Sequence, residues 1–108
     1  MRPPKTLCIH LNRLSYDNYG QMYLNRNFVE FPSNLDLKEV KDACPFEIDL
    51  KYELRSVIEH FGTPQFGHYV AAKRDGEGWV LCNDKVISKY SEEGVRRSKA
   101  YMLFYDKV

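Results

Sequence analysis

His68-Tyr69-Val70-Ala71-Ala72-Lys73-Arg74-Asp75-Gly76-Glu77-Gly78-Trp79-Val80-Leu81-Cys82-Asn83 is the stretch on which the fold turns. His68 to Arg74 reads as one strand, Asp75-Gly76 is a strong two-residue hairpin signal, and Glu77 to Asn83 reads as the returning strand. Counting outward from that turn pairs Arg74 with Glu77 and sets His68 directly opposite Asn83, with both side chains on one face. Directly opposed Cβ atoms lie about 4.5 to 5.5 Å apart, so an imidazole N–H can reach the amide oxygen. A histidine held in this way has a fixed tautomer, and its second ring nitrogen is free to act as a general base.

The same count turns Cys82 to the opposite face, where it pairs with Tyr69, so it cannot serve His68 as a thiol partner unless a bulge intervenes. A bulge at Gly78 would shift the register by one and bring Asp84 into line in place of Asn83. The pattern alone does not separate a catalytic pair from a structural cross-strand contact.

Strand signals also dominate outside the hairpin. Tyr52 to Phe61 alternates, with Tyr52, Leu54, Ser56 and Ile58 on one face and Arg55, Val57 and Glu59 on the other. Gly62, Pro64 and Gly67 mark a loop, Thr63 to Phe66, that leads into His68. Near the start, Thr6 to Leu14 alternates with Leu7, Ile9 and Leu11 on one face, which makes His10 a strand-face residue rather than a ligand. Asp17 to Gly20 has turn chemistry, Phe28 to Phe31 reads as a short strand that Pro32 ends, and Lys38 to Phe46 reads as a connecting loop. Downstream, Val86 to Lys89 reads as a short strand. Ser91-Glu92-Glu93 reads as a helical turn capped by Ser91 and stopped by Gly94, and Ala100 to Tyr105 as a closing strand. Without repeats, low-complexity segments or a long helix, the expected object is a mostly antiparallel sheet.

A chain of 108 residues allows one small domain or a fragment of a larger one. Its hydrophobic share of 44% suffices for a core with little margin, so a missing neighbouring segment would be felt. The charges nearly cancel, 16 basic against 15 acidic, which argues against a partner recognised by phosphate neutralisation. Lys73-Arg74 and Arg96-Arg97 read as solvated surface. No run approaches the roughly 18 apolar residues of a membrane span, and the start has no signal-peptide core. A soluble, intracellular protein is expected. Cys8, Cys44 and Cys82 form no CxxC pair, so no metal site is expected within this chain, and the odd count fits a reducing compartment. Each reads first as a small buried apolar residue. Neither Cys8 nor Cys44 sits in a Gly-rich turn at a helix start, where reactive thiolates are often stabilised.

Tyr52 to Gly62, Gly67 to Ala71, Trp79 to Asp84 and Ala100 to Tyr105 together resemble the histidine box of the ubiquitin-specific proteases. Upstream, Leu7 to Leu14 resembles the family's L-x-L-x-R-F strand, and Phe28 to Leu37 its V-x-F-P-x-x-L-D-L segment. The motifs cover nearly the whole chain in the family's order. The resemblance implies a mostly β, antiparallel palm sheet from the C-terminal half of an α+β, papain-like cysteine protease domain, spanning residues 1–108, with thumb and fingers missing.

It also implies deubiquitination: thiol-dependent hydrolysis of the isopeptide or peptide bond after ubiquitin's C-terminal glycine. Here His68 is the general base, and Asn83 or Asp84 orients it. Phe66, Gly67 and Tyr69 lie where the ubiquitin tail should pass, and Gly67 has the small profile that a closely approaching backbone needs. The implied partners are ubiquitin or ubiquitinated proteins and the missing N-terminal thumb half, with no cofactor and no nucleic acid. The chain departs from the family in lacking a Gly-Asn-Thr-Cys box, its oxyanion-hole residue and the CxxC pairs of the fingers. Arg13-Leu14 stands for the commoner Arg-Phe, and Lys38 to Phe46 is short. An inactive fragment that binds ubiquitin or another partner is the alternative. Cys8 to Tyr16 resembles the branch attached to the mitochondrial outer membrane, whereas Asn83 replaces the serine expected there; the expected location is the cytoplasm.

Overall fold

Extended backbone needs partner strands to satisfy its N–H and C=O groups, and most of the described residues find one. A computed structural model describes residues 4–36, 51–63 and 66–108. Among these, the elements in chain order are β1 (Thr6–His10), β2 (Leu14–Tyr16), β3 (Met22–Leu24), β4 (Asn34–Asp36), β5 (Lys51–Gly62), β6 (Gly67–Asp75), β7 (Gly78–Asn83), β8 (Val86–Tyr90), α1 (Glu92–Arg96) and β9 (Met102–Lys107). One antiparallel sheet runs in the order β1-β9-β5-β6-β7-β8, β4 pairs with the start of β5, and β2 and β3 form a separate hairpin. The segment Lys38 to Phe46, with Cys44, and Pro64-Gln65 of the loop before His68 lie outside the described residues.

β5 is the spine of the sheet, and its side-chain alternation changes phase once. Leu54 pairs with Tyr105 but Ser56 pairs with Phe104, so Arg55 is an extra residue in a β-bulge. The bulge turns Val57, rather than Ser56 or Ile58, onto the face that already holds Tyr52 and Leu54. Those three side chains are almost fully buried with Ala72, Trp79, Leu103, Tyr105 and Val95 of α1. Each large apolar side chain buried here contributes roughly 1.5 to 3 kcal/mol. α1 lies on this face; Ser91 caps it by accepting the Gly94 N–H at 2.9 Å, and the helix runs through Gly94 to Arg96 instead of stopping there.

Three other expectations change around Arg13. The strand expected from Thr6 to Leu14 breaks after His10, since Arg13 turns inward, only 8% exposed, and donates through Nε to the Ala100 carbonyl at 2.6 Å. Its Nη1 donates to the carbonyls of Asn25 (3.0 Å) and Asn27 (2.6 Å). That holds the chain before Phe28 to Phe31 in an irregular path, and the strand expected there forms instead at Asn34–Asp36, beyond Pro32. Ala100 and Tyr101 are likewise drawn out of the closing strand, which starts at Met102: the Tyr101 N–H donates to Ile58 and its carbonyl accepts from Leu11.

Tyr105 is wholly buried and donates its hydroxyl to the Pro32 carbonyl at 2.7 Å. Burial pushes its phenol up to about 12 from 10.0. Between those values the folded chain keeps a proton that the unfolded chain has released, so stability is complete below pH 10 and falls as pH rises toward 12. The expected loss is on the order of 2 kcal/mol. Denaturant melts of the wild type and of Tyr105→Phe at pH 9 and pH 11 check this. The variant should start about 1 kcal/mol less stable and show a smaller alkaline decline; equal declines would mean that this phenol is not the group responsible.

Candidate active site

The β6–β7 hairpin turns one residue later than its Asp-Gly signal suggests. Asp75 pairs with Gly78 and Arg74 with Trp79, so Gly76 and Glu77 are the two central residues. Gly76 has φ 61 while neither neighbour is left-handed, which is the backbone of a turn with glycine at its first central position. The register stays uniform from Asp75↔Gly78 to Ala71↔Cys82, with no bulge at Gly78. Extending it past Cys82 brings Asn83 level with Val70, two residues from His68.

A shift of two residues leaves every side chain on its original face. His68 and Asn83 therefore share a face, as diagonal rather than directly opposed neighbours, and long side chains can bridge that spacing of about 7 to 8 Å. The His68 Nε2 lies 2.6 Å from Asn83 Oδ1. An amide oxygen only accepts, so Nε2 carries the proton and the neutral ring presents the Nδ1 lone pair. The His68 side chain is 44% exposed, which leaves that nitrogen accessible. Its backbone is held by β5, where Phe61 pairs with His68 and Gly62 with Gly67.

Asp84 is the first residue of the two-residue β7–β8 turn, in the left-handed region with φ 54. Aspartate tolerates that conformation better than most side chains. Its Oδ1 stands 3.9 Å from His68 Nδ1, beyond hydrogen-bond range, and its side chain is 79% exposed. The two candidates for orienting His68 thus sit at opposite ring nitrogens, and only Asn83 is in direct contact.

The other sequence-selected residues divide between the two faces. Phe66 is 86% exposed. Tyr69 points to the face opposite His68, its ring 4.7 Å from that of His60. A Cβ at Gly67 would collide with the His60 imidazole where it stands, so a larger residue there would have to displace that ring. Cys82 pairs with Ala71 rather than Tyr69 and points away from His68, and Cys8 lies exposed on β1, three strands from β6. Among the described residues no group of three or more His, Cys, Asp or Glu side chains could hold a metal ion, and no helix is long and apolar enough to cross a membrane. On the His68 face a cavity of about 170 Å³, floored by Val57, Val70, Ala72 and Leu81, opens between Phe61, Asn83 and Tyr90.

Residues 1–105 match the family described as Ubiquitin carboxyl-terminal hydrolase. The chain belongs to that family. Ubiquitin carboxyl-terminal hydrolase 1 of Arabidopsis thaliana is 32% identical over 122 residues, covering 99% of this chain and 11% of that protein. Ubiquitin carboxyl-terminal hydrolase 8 of Saccharomyces cerevisiae is 33% identical over 111 residues, covering 94% of this chain and 24% of that protein. A chain of the SAGA DUB module of Ubp8, Sgf11, Sus1 and Sgf73 bound to monoubiquitin superimposes with a TM-score of 0.85 at 34% identity, covering 97% of this chain and 24% of that one. The same module bound to ubiquitin aldehyde gives a TM-score of 0.84 at 32% identity, covering 97% of this chain and 25% of that one. This ubiquitin carboxyl-terminal hydrolase relative therefore spans a quarter or less of each of these proteins.

Sequence reasoning passed over three residues that shape the site of this family member: His60, which packs on Gly67, Phe61, which pairs with His68, and Arg26, which donates to the Gly62 carbonyl at 2.5 Å. Phe61 could have been found by extending the Tyr52 to Phe61 strand across the following loop. The same extension brings His60 near Gly67, whereas the Arg26 contact joins segments 36 residues apart and no local pattern announces it.

Proposed function

We propose that this chain is the palm portion of a cysteine-type deubiquitinase, with His68 as its general base and Asn83 orienting the ring. The observation that carries the reading is the 2.6 Å contact between His68 Nε2 and Asn83 Oδ1, which leaves Nδ1 as an accessible lone pair near the start of β6. A base needs that arrangement: one nitrogen anchored, the other able to take a proton. His68 Nδ1 removes the proton of a cysteine thiol, and the thiolate attacks the carbonyl carbon of ubiquitin's terminal glycine. The imidazolium then gives its proton to the departing amine, leaving a thioester. Water, deprotonated by the same nitrogen, hydrolyses the thioester and restores the thiol. Phe66, Gly67 and Tyr69 flank His68 in sequence and line the path of the ubiquitin tail.

The thiol comes from outside the described sheet. Cys82 faces the wrong way, and Cys8 lies three strands from β6, roughly 14 Å at about 4.8 Å per strand. A chemistry that depends on a reduced thiol suits a reducing, cytoplasmic setting.

The test uses the gene product that carries these residues and a fluorogenic amide at the ubiquitin C-terminus. Hydrolysis should be abolished by thiol alkylation, and Cys8→Ser and Cys82→Ser should each retain activity within about twofold, since surface-type changes of this size perturb little. Loss of turnover on either serine substitution would place the nucleophile inside the sheet and overturn the assignment. Ubiquitin binding with no hydrolysis and no reaction with a ubiquitin C-terminal electrophile would favour the partner-binding alternative.

A further inference from the structure

We propose that Arg26 is a positioning residue for substrate: it braces the start of the β5–β6 connection that leads into Phe66, Gly67 and His68, and so sets affinity for the ubiquitin tail. The inference rests on the functional reading above. The Arg26 guanidinium donates through Nη2 to the Gly62 carbonyl at 2.5 Å, joining segments 36 residues apart in sequence. Gly62 is the last residue of β5, in the left-handed region with φ 100, and it pairs with Gly67 across the ladder. The Thr63 N–H donates to the Phe66 carbonyl at 3.3 Å, and the Phe66 N–H donates to Thr63 Oγ1 at 3.0 Å. Among the described residues, those two hydrogen bonds lie within the turn, and the Arg26 contact reaches it from a segment 36 residues away.

Arg26 is itself aimed by a buried anchor. Arg13, fixed to Ala100 by its Nε, grips the carbonyls of Asn25 and Asn27, the residues on either side of Arg26. The Asn27 N–H also donates to Asn25 Oδ1 at 2.9 Å, and the Asn25 N–H donates to the Arg13 carbonyl at 2.6 Å. With both neighbours pinned, the Arg26 side chain is presented toward Gly62 from a backbone that has little freedom. Rigid presentation lowers the entropy that the contact costs. The two arginines in series, Arg13 bound to Ala100 and Arg26 bound to Gly62, thus tie the palm core to the turn that carries Phe66.

This brace supports binding more than chemistry. His68 has two supports of its own, its pairing with Phe61 and the Asn83 contact, and neither involves Arg26. Exposed Phe66, by contrast, depends on the turn for its position. A looser turn must be ordered again each time the ubiquitin tail binds, and that appears in KM rather than kcat.

The experiment measures ubiquitin-amide hydrolysis by the complete gene product with Arg26→Ala and Arg26→Lys, beside His68→Ala. Arg26→Ala should raise KM about tenfold with kcat within twofold, and Arg26→Lys, which keeps one donor, should recover at least half of the loss on a logarithmic scale. An unchanged KM in Arg26→Ala, a loss confined to kcat, or no recovery with lysine in a protein that melts like wild type would each overturn the proposal. An inactive wild type, or a His68→Ala variant as active as wild type, would instead defeat the functional reading on which it rests.

Discussion

In the gene product that carries these residues, His68→Ala is expected to lower kcat/KM for ubiquitin-amide hydrolysis by about 1,000-fold or more, roughly 4 kcal/mol of transition-state stabilisation. The proton that His68 takes from the thiol must later reach the departing amine, and the Asp84 carboxylate stands 3.9 Å from the His68 ring rather than in its place. Removing the imidazole therefore removes the base and the acid together. Stability should hardly change, because the side chain is 44% exposed and its hydrogen bond to Asn83 goes to another exposed residue. A melting temperature within a few degrees of wild type separates lost chemistry from lost folding. If His68→Ala kept kcat/KM within tenfold of wild type, the general-base role would be untenable.

What the sequence made legible follows from what a period of two can encode. The alternations at Tyr52 to Phe61 and at His68 to Asn83 located the central strands, and the two-residue turn located their connection to within one residue. The turn itself was ambiguous, because Asp75-Gly76 and Gly76-Glu77 each offer a glycine to a two-residue loop. Moving from the first to the second shifts the partner strand by two, and an even shift conserves faces. That is why His68 and Asn83 meet although the residue level with Asn83 is Val70.

A shift of one is different. The bulge at Arg55 reverses the faces of β5, and nothing in Leu54-Arg55-Ser56-Val57 marks it locally, since both phases offer an apolar residue to the core. The burial of Arg13 was illegible for a related reason: its acceptors are the carbonyls of residues 25, 27 and 100, which only the folded chain assembles. The small residue at position 67 was legible, but the imidazole of His60 that packs against it was not.

The second large effect separates Asn83 from Asp84. Asn83→Ala should lower kcat/KM by about 100-fold, roughly 2.7 kcal/mol, mostly in kcat. The ring of His68 is anchored at Nε2 by Asn83 Oδ1, and without that acceptor it rotates freely and populates the tautomer with the proton on the wrong nitrogen. Asn83→Asp keeps an acceptor oxygen at the same place and should retain most of the activity. Asp84→Ala should cost tenfold or less. Its carboxylate is 3.9 Å from Nδ1 and 79% exposed, so water and salt screen whatever it lends the imidazolium. Part of even that loss would come from the backbone, because alanine fits the left-handed conformation at position 84 less well than aspartate does. Asp84→Asn, which preserves the turn and removes the charge, isolates the electrostatic part and should stay within about threefold of wild type. Near-wild-type activity in Asn83→Ala together with a 100-fold loss in Asp84→Asn would exchange the two roles. The carboxylate would then be the group that holds the imidazolium, and the 2.6 Å amide contact would be only structural.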